Sequence, residues 1–141
     1  MAIYFFSEEI HFELKERLIR KRWLKTIATK AGFTIKELNY VFCSDDYLYQ
    51  MNLKYLNHET YTDIITFDNS EKELDLAGDV FISIDRIREN AKTHNQKMET
   101  ELNRVLVHGL LHLMGYKDKT IEESTLMRIK EEESINLYTL K

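Results

Sequence analysis

Two histidines and an aspartate set the chemistry open to this chain, in the run His108-Gly109-Leu110-Leu111-His112-Leu113-Met114-Gly115-Tyr116-Lys117-Asp118. Residues four apart on an α-helix share a face, so the imidazoles of His108 and His112 can address one ion. No Pro interrupts Met98 to Met114, and Gly109 is the only Gly in that span, so one helix can carry both histidines. Gly115 can take the left-handed conformation that ends a helix. The chain can then turn back and bring Asp118 towards the same ion. Two imidazoles and one carboxylate leave a fourth tetrahedral position open, as in a catalytic zinc site. The alternative is a pair of buried helix histidines bonded to carbonyls; unpaired buried imidazoles are costly.

The spacing His-x-x-x-His-x-x-Gly-x-x-Asp is that of the metzincin peptidases, with one difference. Those enzymes place a Glu directly after the first His as general base. Here that position is Gly109, which cannot move a proton, so a peptidase reading lacks its catalyst.

These residues need a scaffold, and the chain supplies alternating strand and helix patterns. Ala2 to Phe6 reads as a strand. Ser7, Glu8 and Glu9 read as the start of a helix along Ile10, Leu14, Leu18, Leu24 and Ala28, stopped at Gly32. Leu38 to Cys43 is a second strand. A helix capped by Ser44 or Asp45 runs to about Tyr55. Thr62 to Phe67 is a third strand, rich in β-branched residues. Asp68 to Ala77 reads as a loop, and Gly78 to Ile84 as a fourth strand. Asp85 caps a helix to about Thr93, and Asn95 and Gln96 break the chain before the histidine helix. Thr120-Ile121-Glu122-Glu123 has the form of a capping box opening a last helix to about Leu137. This order predicts an α+β fold: a mixed four-stranded sheet packed with helices, the histidine helix central because it is apolar nearly all round.

A length of 141 residues suits one domain, 1–141, able to bury a core. Hydrophobic residues at 43% and charged residues at 31% fit a soluble protein, and no apolar run is long enough to span a bilayer. The N-terminus makes a poor signal peptide. Cys43 is the single cysteine, which excludes an internal disulfide, and its apolar neighbours predict a packed thiol. A cytoplasmic location is expected. Net charge is −4, yet Lys15 to Lys30 holds seven basic residues against one acid, Glu16. Such asymmetry can guide an anionic partner to one side, or it can be a solvated helix face.

Taken together, the chain resembles the YbeY family of bacterial metal-dependent endoribonucleases over almost its whole length. His108 to Tyr116 matches the family signature His-Gly-x-Leu-His-Leu-x-Gly-Tyr. Thr62-Asp63-Ile64-Ile65-Thr66-Phe67 is similar to the family's Thr-Asp-Val-Leu-Ser-Phe strand, and Gly78-Asp79 opens the next strand. The resemblance implies one bound zinc per chain, zincin-like, on a small α+β fold. It also implies single-strand-specific cleavage of RNA in ribosomal RNA processing, at the 3′ end of the small-subunit RNA, and in ribosome quality control. Ribosomal RNA, ribosomal particles and a ribosomal protein are the implied partners.

Two departures stand out. The family usually ends its motif in Asp-His, with that His as third ligand; here the pair is Lys117-Asp118. Carboxylate oxygen is an acceptable zinc ligand, and an anionic ligand loosens selectivity towards manganese or other divalent ions. A basic residue, usually Arg, precedes the Thr-Asp strand in much of the family; Leu56 stands there, with His58 two residues on as a candidate catalytic cation. Two readings follow. The first is a metal-dependent endoribonuclease with metal ligands His108, His112 and Asp118 and RNA-binding residues Arg20, Lys21 and Arg22. The second is a ribosome-assembly factor whose metal is structural. A metallopeptidase is a distant third.

Overall fold

The computed structural model describes residues 2–56 and 62–139. In chain order the elements are β1 (Ile3–Glu8), α1 (Arg17–Lys30), β2 (Thr34–Cys43), α2 (Asp45–Leu56), β3 (Ile64–Asp68), β4 (Asp75–Ser83), α3 (Ile84–Thr93), α4 (Met98–Leu113) and α5 (Ile121–Thr139). The sheet order is β1-β2-β4-β3. β2 is parallel to β1 and β4, and β3 returns antiparallel to β4. This is the mixed four-stranded sheet that the alternation of elements predicts.

Side chains alternate across a strand, and the two faces divide accordingly. Leu38, Tyr40, Phe42, Val80 and Ile82 belong to the main core, which α4 joins through Leu102, Leu106 and Leu110. Cys43 and Ile65 turn to the other face, where Leu48 of α2 covers them. Burial pushes the Cys43 thiol up to about 12, with nearby acids Asp85 and Asp45 adding to it. Cys43 is thus a packed thiol and no nucleophile.

α4 touches α1, α3, α5, β3 and β4, so it is the central helix. It comes close enough to the sheet that two glycines are required. A Cβ on Gly109 would lie 2.8 Å from Cγ1 of Val80, and one on Gly78 would lie 2.7 Å from the carbonyl of Phe67 and 2.8 Å from Leu113. Position 109 therefore faces the sheet. A larger residue there would collide with Val80 before it could reach the histidine face.

Several local readings yield to tertiary structure. β1 runs on to Glu8 because its backbone pairs with β2 as far as Cys43. Ser7 consequently lies in a strand, its hydroxyl donating to the Phe12 carbonyl, and the helix begins only at Arg17. Leu18, assigned to the buried stripe, is 54% exposed; Trp23, Leu24, Ile27 and Ala28 form the buried face instead. β2 starts earlier than Leu38 and β4 earlier than Gly78, because Thr34 and Ile35 pair with Asp75 and Leu76 inside the expected loop. Ser83, not Asp85, caps α3: its hydroxyl accepts from the Arg86 amide. Asp85 accepts from the Asp45 amide and so ties α2 to α3. The capping box on α5 forms in both directions between Thr120 and Glu123.

The Gly109–Val80 contact yields a stability test. Gly109→Ala is expected to cost about 1–3 kcal/mol from overpacking, in spite of alanine's helix advantage of about 1 kcal/mol. Val80→Ala makes room, so the two changes together should cost less than the sum of the separate costs. Urea unfolding of the four proteins reads this. Strict additivity would show that α4 does not depend on the close approach.

Candidate metal centre

α4 ends in a turn fixed by two backbone hydrogen bonds. Gly115, at φ +104, donates to the His112 carbonyl, and Tyr116 donates to that of Leu111. This pairing satisfies carbonyls of the last turn and reverses the chain. Tyr116 packs on the core beyond it. Asp118 is thereby carried back over the histidine face. Its Oδ2 is 3.3 Å from Nε2 of His108 and 3.5 Å from Nε2 of His112, and the two Nε2 atoms are 3.0 Å apart. Three ligand atoms thus converge on one point, as a metal ion requires.

The sequence reading missed what holds His108. Glu131 of α5 places Oε2 2.6 Å from Nδ1 of His108, and Glu131 is only 5% exposed. A carboxylate on Nδ1 fixes the tautomer and leaves Nε2 for a metal. Arg104, one turn before His108, donates to Oε1 of the same carboxylate at 3.2 Å and to Glu132 at 2.6 Å. The buried negative charge is therefore compensated on one side by arginine and on the other by imidazole. A signal for Glu131 exists in the sequence: Met127, Glu131, Ser134 and Tyr138 fall on one face of α5, and all four are buried.

Protonation preferences follow this arrangement. Burial pulls the His108 pKa down, but hydrogen bonding and charge from Glu131, then Asp118 and Asp63, outweigh it, so the pKa is raised. Glu131 is held below the usual carboxylate range because His108 and Arg104 outweigh burial. The His112 pKa is lowered, first by burial and then by His108. A proton on His108 would compete with a metal at Nε2, so metal binding at this site is expected to weaken as pH falls. Asp63, from the Thr62-Asp63 motif, has its pKa raised, mainly by burial, with His108 opposing. Asp63, Arg104 and Arg128 line a cavity of 420 Å³ that opens onto His108, His112 and Asp118. A cavity of that size lies within the range of small-ligand pockets.

The other candidate residues lie differently. Arg20 is fully buried, with 0% of its surface exposed. Its guanidinium bonds to Asn103 Oδ1 at 3.1 Å, to Glu99 and to the Lys15 carbonyl, and it lies over the Tyr138 ring. It joins α1 to α4 and α5 and has no access to a phosphate, which corrects its assignment to RNA binding. Its position on the stripe with Trp23, Leu24, Ile27 and Ala28 is the reason. Lys21 is half-buried and Arg22 exposed, so they keep access to solvent. His58 lies outside the described residues. No helix among the described residues is long and apolar enough to cross a membrane.

Comparisons with known proteins identify the family and the fold. The family model described as Endoribonuclease YbeY matches residues 5–139. The chain is 54% identical over 136 residues to the Endoribonuclease YbeY of Cytophaga hutchinsonii, covering 96% of this chain and 95% of that protein. It is 46% identical to that of Christiangramia forsetii, covering 96% and 94%. The solution structure of TM1509 from Thermotoga maritima superposes with a TM-score of 0.68 at 26% identity, covering 96% of this chain and 88% of that one.

The carboxylate behind His108 can be tested by itself. Glu131→Gln keeps the shape but loses the charge, and is expected to weaken zinc binding by about 10–100-fold. Competition with a chelating dye measures this. Unchanged affinity would show that Glu131 serves packing alone.

Proposed function

Because this chain belongs to the Endoribonuclease YbeY family, we propose that it is a metal-dependent endoribonuclease that hydrolyses single-stranded RNA. Its proposed work is 3′-end maturation of the small-subunit ribosomal RNA and ribosome quality control in the cytoplasm, on ribosomal particles. The observation that carries the metal dependence is the convergence of His108 Nε2, His112 Nε2 and Asp118 Oδ2 at 3.0, 3.3 and 3.5 Å. A tetrahedral zinc with bonds of about 2.0–2.1 Å has ligand–ligand edges of about 3.3 Å. One zinc per chain therefore fits the donor set.

A divalent ion held there supplies Lewis acidity towards a phosphoryl oxygen and makes water acidic enough to attack near neutral pH. The chain's own residues do the rest. Glu131 keeps the His108 ring oriented. Gly109 turns no side chain towards the ion, so no general base stands where a peptidase would have its Glu, and this argues against peptide hydrolysis. Asp63, with its raised pKa, faces the same cavity and can share a proton with a bound phosphate there. Lys21 and Arg22 attract the strand through charge, and His58, two residues after Leu56 in the sequence, is the proposed catalytic cation.

Leu56 in place of the family's usual Arg favours a second reading, an assembly factor with a structural metal. One experiment separates the two. Single-turnover cleavage of a labelled precursor carrying the small-subunit 3′ end is expected to require added metal and to fall at least about a hundredfold in His112→Ala. In the same system, replacing Lys21 and Arg22 with Gln should flatten the salt dependence of RNA affinity. Cleavage by His112→Ala at the wild-type rate would refute metal dependence. A metal-loaded protein that binds the particle and cuts nothing would establish the assembly reading.

A further inference from the structure

The metal ligands stand where two cavities meet. One is the 420 Å³ cavity between α4 and β3 that Asp63 lines. The other is a groove of 1080 Å³ running along the outer side of α5 past Thr120, Ser124 and Asn136. Four residues line both: His108, Asp118, Glu131 and Arg128. The first three build the metal centre. Arg128 is the fourth, and it is a cation.

The two arginines of the inner cavity are in different situations. Arg104 is 13% exposed, and its guanidinium is engaged by Glu131 and Glu132. Arg128 is 62% exposed, and its Nη1 is 3.7 Å from Oε1 of Glu131. That distance is an ion pair without a hydrogen bond. Its fork of N–H donors is therefore available to an outside acceptor, and phosphate fits that fork in a two-point contact. The same Glu131 carboxylate bonds His108, so Arg128 is one carboxylate away from a metal ligand.

Electrostatics gives this arginine a purpose. A strand crossing from the cavity into the groove passes Asp118, Glu131, Glu132 and Glu133, and the lysine and arginine side chains among the described lining residues are Lys119 and Arg128. A phosphodiester backbone is repelled by those acids unless a cation sits at the crossing point. Arg128 is at that point, on α5.

On the reading of this site as a ribonuclease centre, we infer that Arg128 binds the backbone phosphate next to the one that is cut. It thereby positions the strand across the metal centre, one side in the inner cavity and the other in the α5 groove. The partner is single-stranded RNA, recognised by its backbone and not by its bases.

The test uses binding, so that it does not depend on turnover. A fluorescent single-stranded RNA oligonucleotide is titrated by anisotropy against zinc-loaded wild type, Arg128→Gln and Arg128→Lys, over times too short for cleavage and at several salt concentrations. Zinc content and thermal unfolding are measured on the same preparations. Arg128→Gln is expected to weaken binding about tenfold, one charged contact, and to reduce the slope of log affinity against log salt by about 0.7. Arg128→Lys should keep the slope and lose part of the affinity. Zinc content and unfolding should not change. Wild-type affinity and slope in Arg128→Gln, with wild type binding RNA well, would overturn the inference alone. Loss of zinc in Arg128→Gln would also overturn it, because the arginine would then belong to the metal scaffold. If zinc-loaded wild type binds no RNA at any salt concentration, the ribonuclease reading fails and the inference falls with it.

Discussion

Glu131 is buried, and its carboxylate is divided between the imidazole of His108 at 2.6 Å and the guanidinium of Arg104 at 3.2 Å. The rest of the centre depends on this shared charge. A buried carboxylate left unpaired would cost several kcal/mol; Arg104 satisfies one oxygen of Glu131, and His108 is turned to meet the other. That orientation sends Nε2 outward to His112 and Asp118. The packing of two helices and the presentation of a candidate metal ligand are therefore one interaction.

Holding α5 in register is the task of contacts far from that carboxylate. Trp23 of α1 donates its indole N–H to the Ser134 carbonyl at 2.7 Å, and the Tyr138 hydroxyl bonds Glu16 at 2.6 Å. Arg20 links the same helix to Asn103 and Glu99 of α4. The basic helix thus serves as a clamp on α4 and α5 along one face and presents charge on the other. On the sheet side, Gly78 and Gly109 let α4 sit close, which fixes the height of the histidines above β3 and β4. Asp63, next to β3, lines the cavity on that side.

Features set by local spacing were legible in the sequence. The two histidines one turn apart, the glycine turn that returns Asp118, and the Thr120–Glu123 capping box are each determined within a few residues. So was the alternation that makes a mixed sheet. Features set by tertiary contact were not. Glu131 is one of three consecutive glutamates, and only its stripe with Met127, Ser134 and Tyr138 marks it as buried. Arg20 was hidden in the same way among basic residues, although it shares a stripe with Trp23 and Leu24. The start of α1 was misplaced because strand pairing extends β1 over Ser7 and Glu8, and pairing overrides a capping preference. Gly109 looked like a missing catalyst; in the fold it is a packing requirement.

The central claim is that Glu131 fixes which nitrogen of His108 faces the ion. Diffraction from zinc-loaded crystals at the zinc absorption edge tests it directly. The expected result is one anomalous peak about 2.0–2.2 Å from Nε2 of His108, Nε2 of His112 and a carboxylate oxygen of Asp118, with Glu131 still bonded to Nδ1. A peak coordinated by Nδ1 of His108, or by Glu131 itself, would contradict the account.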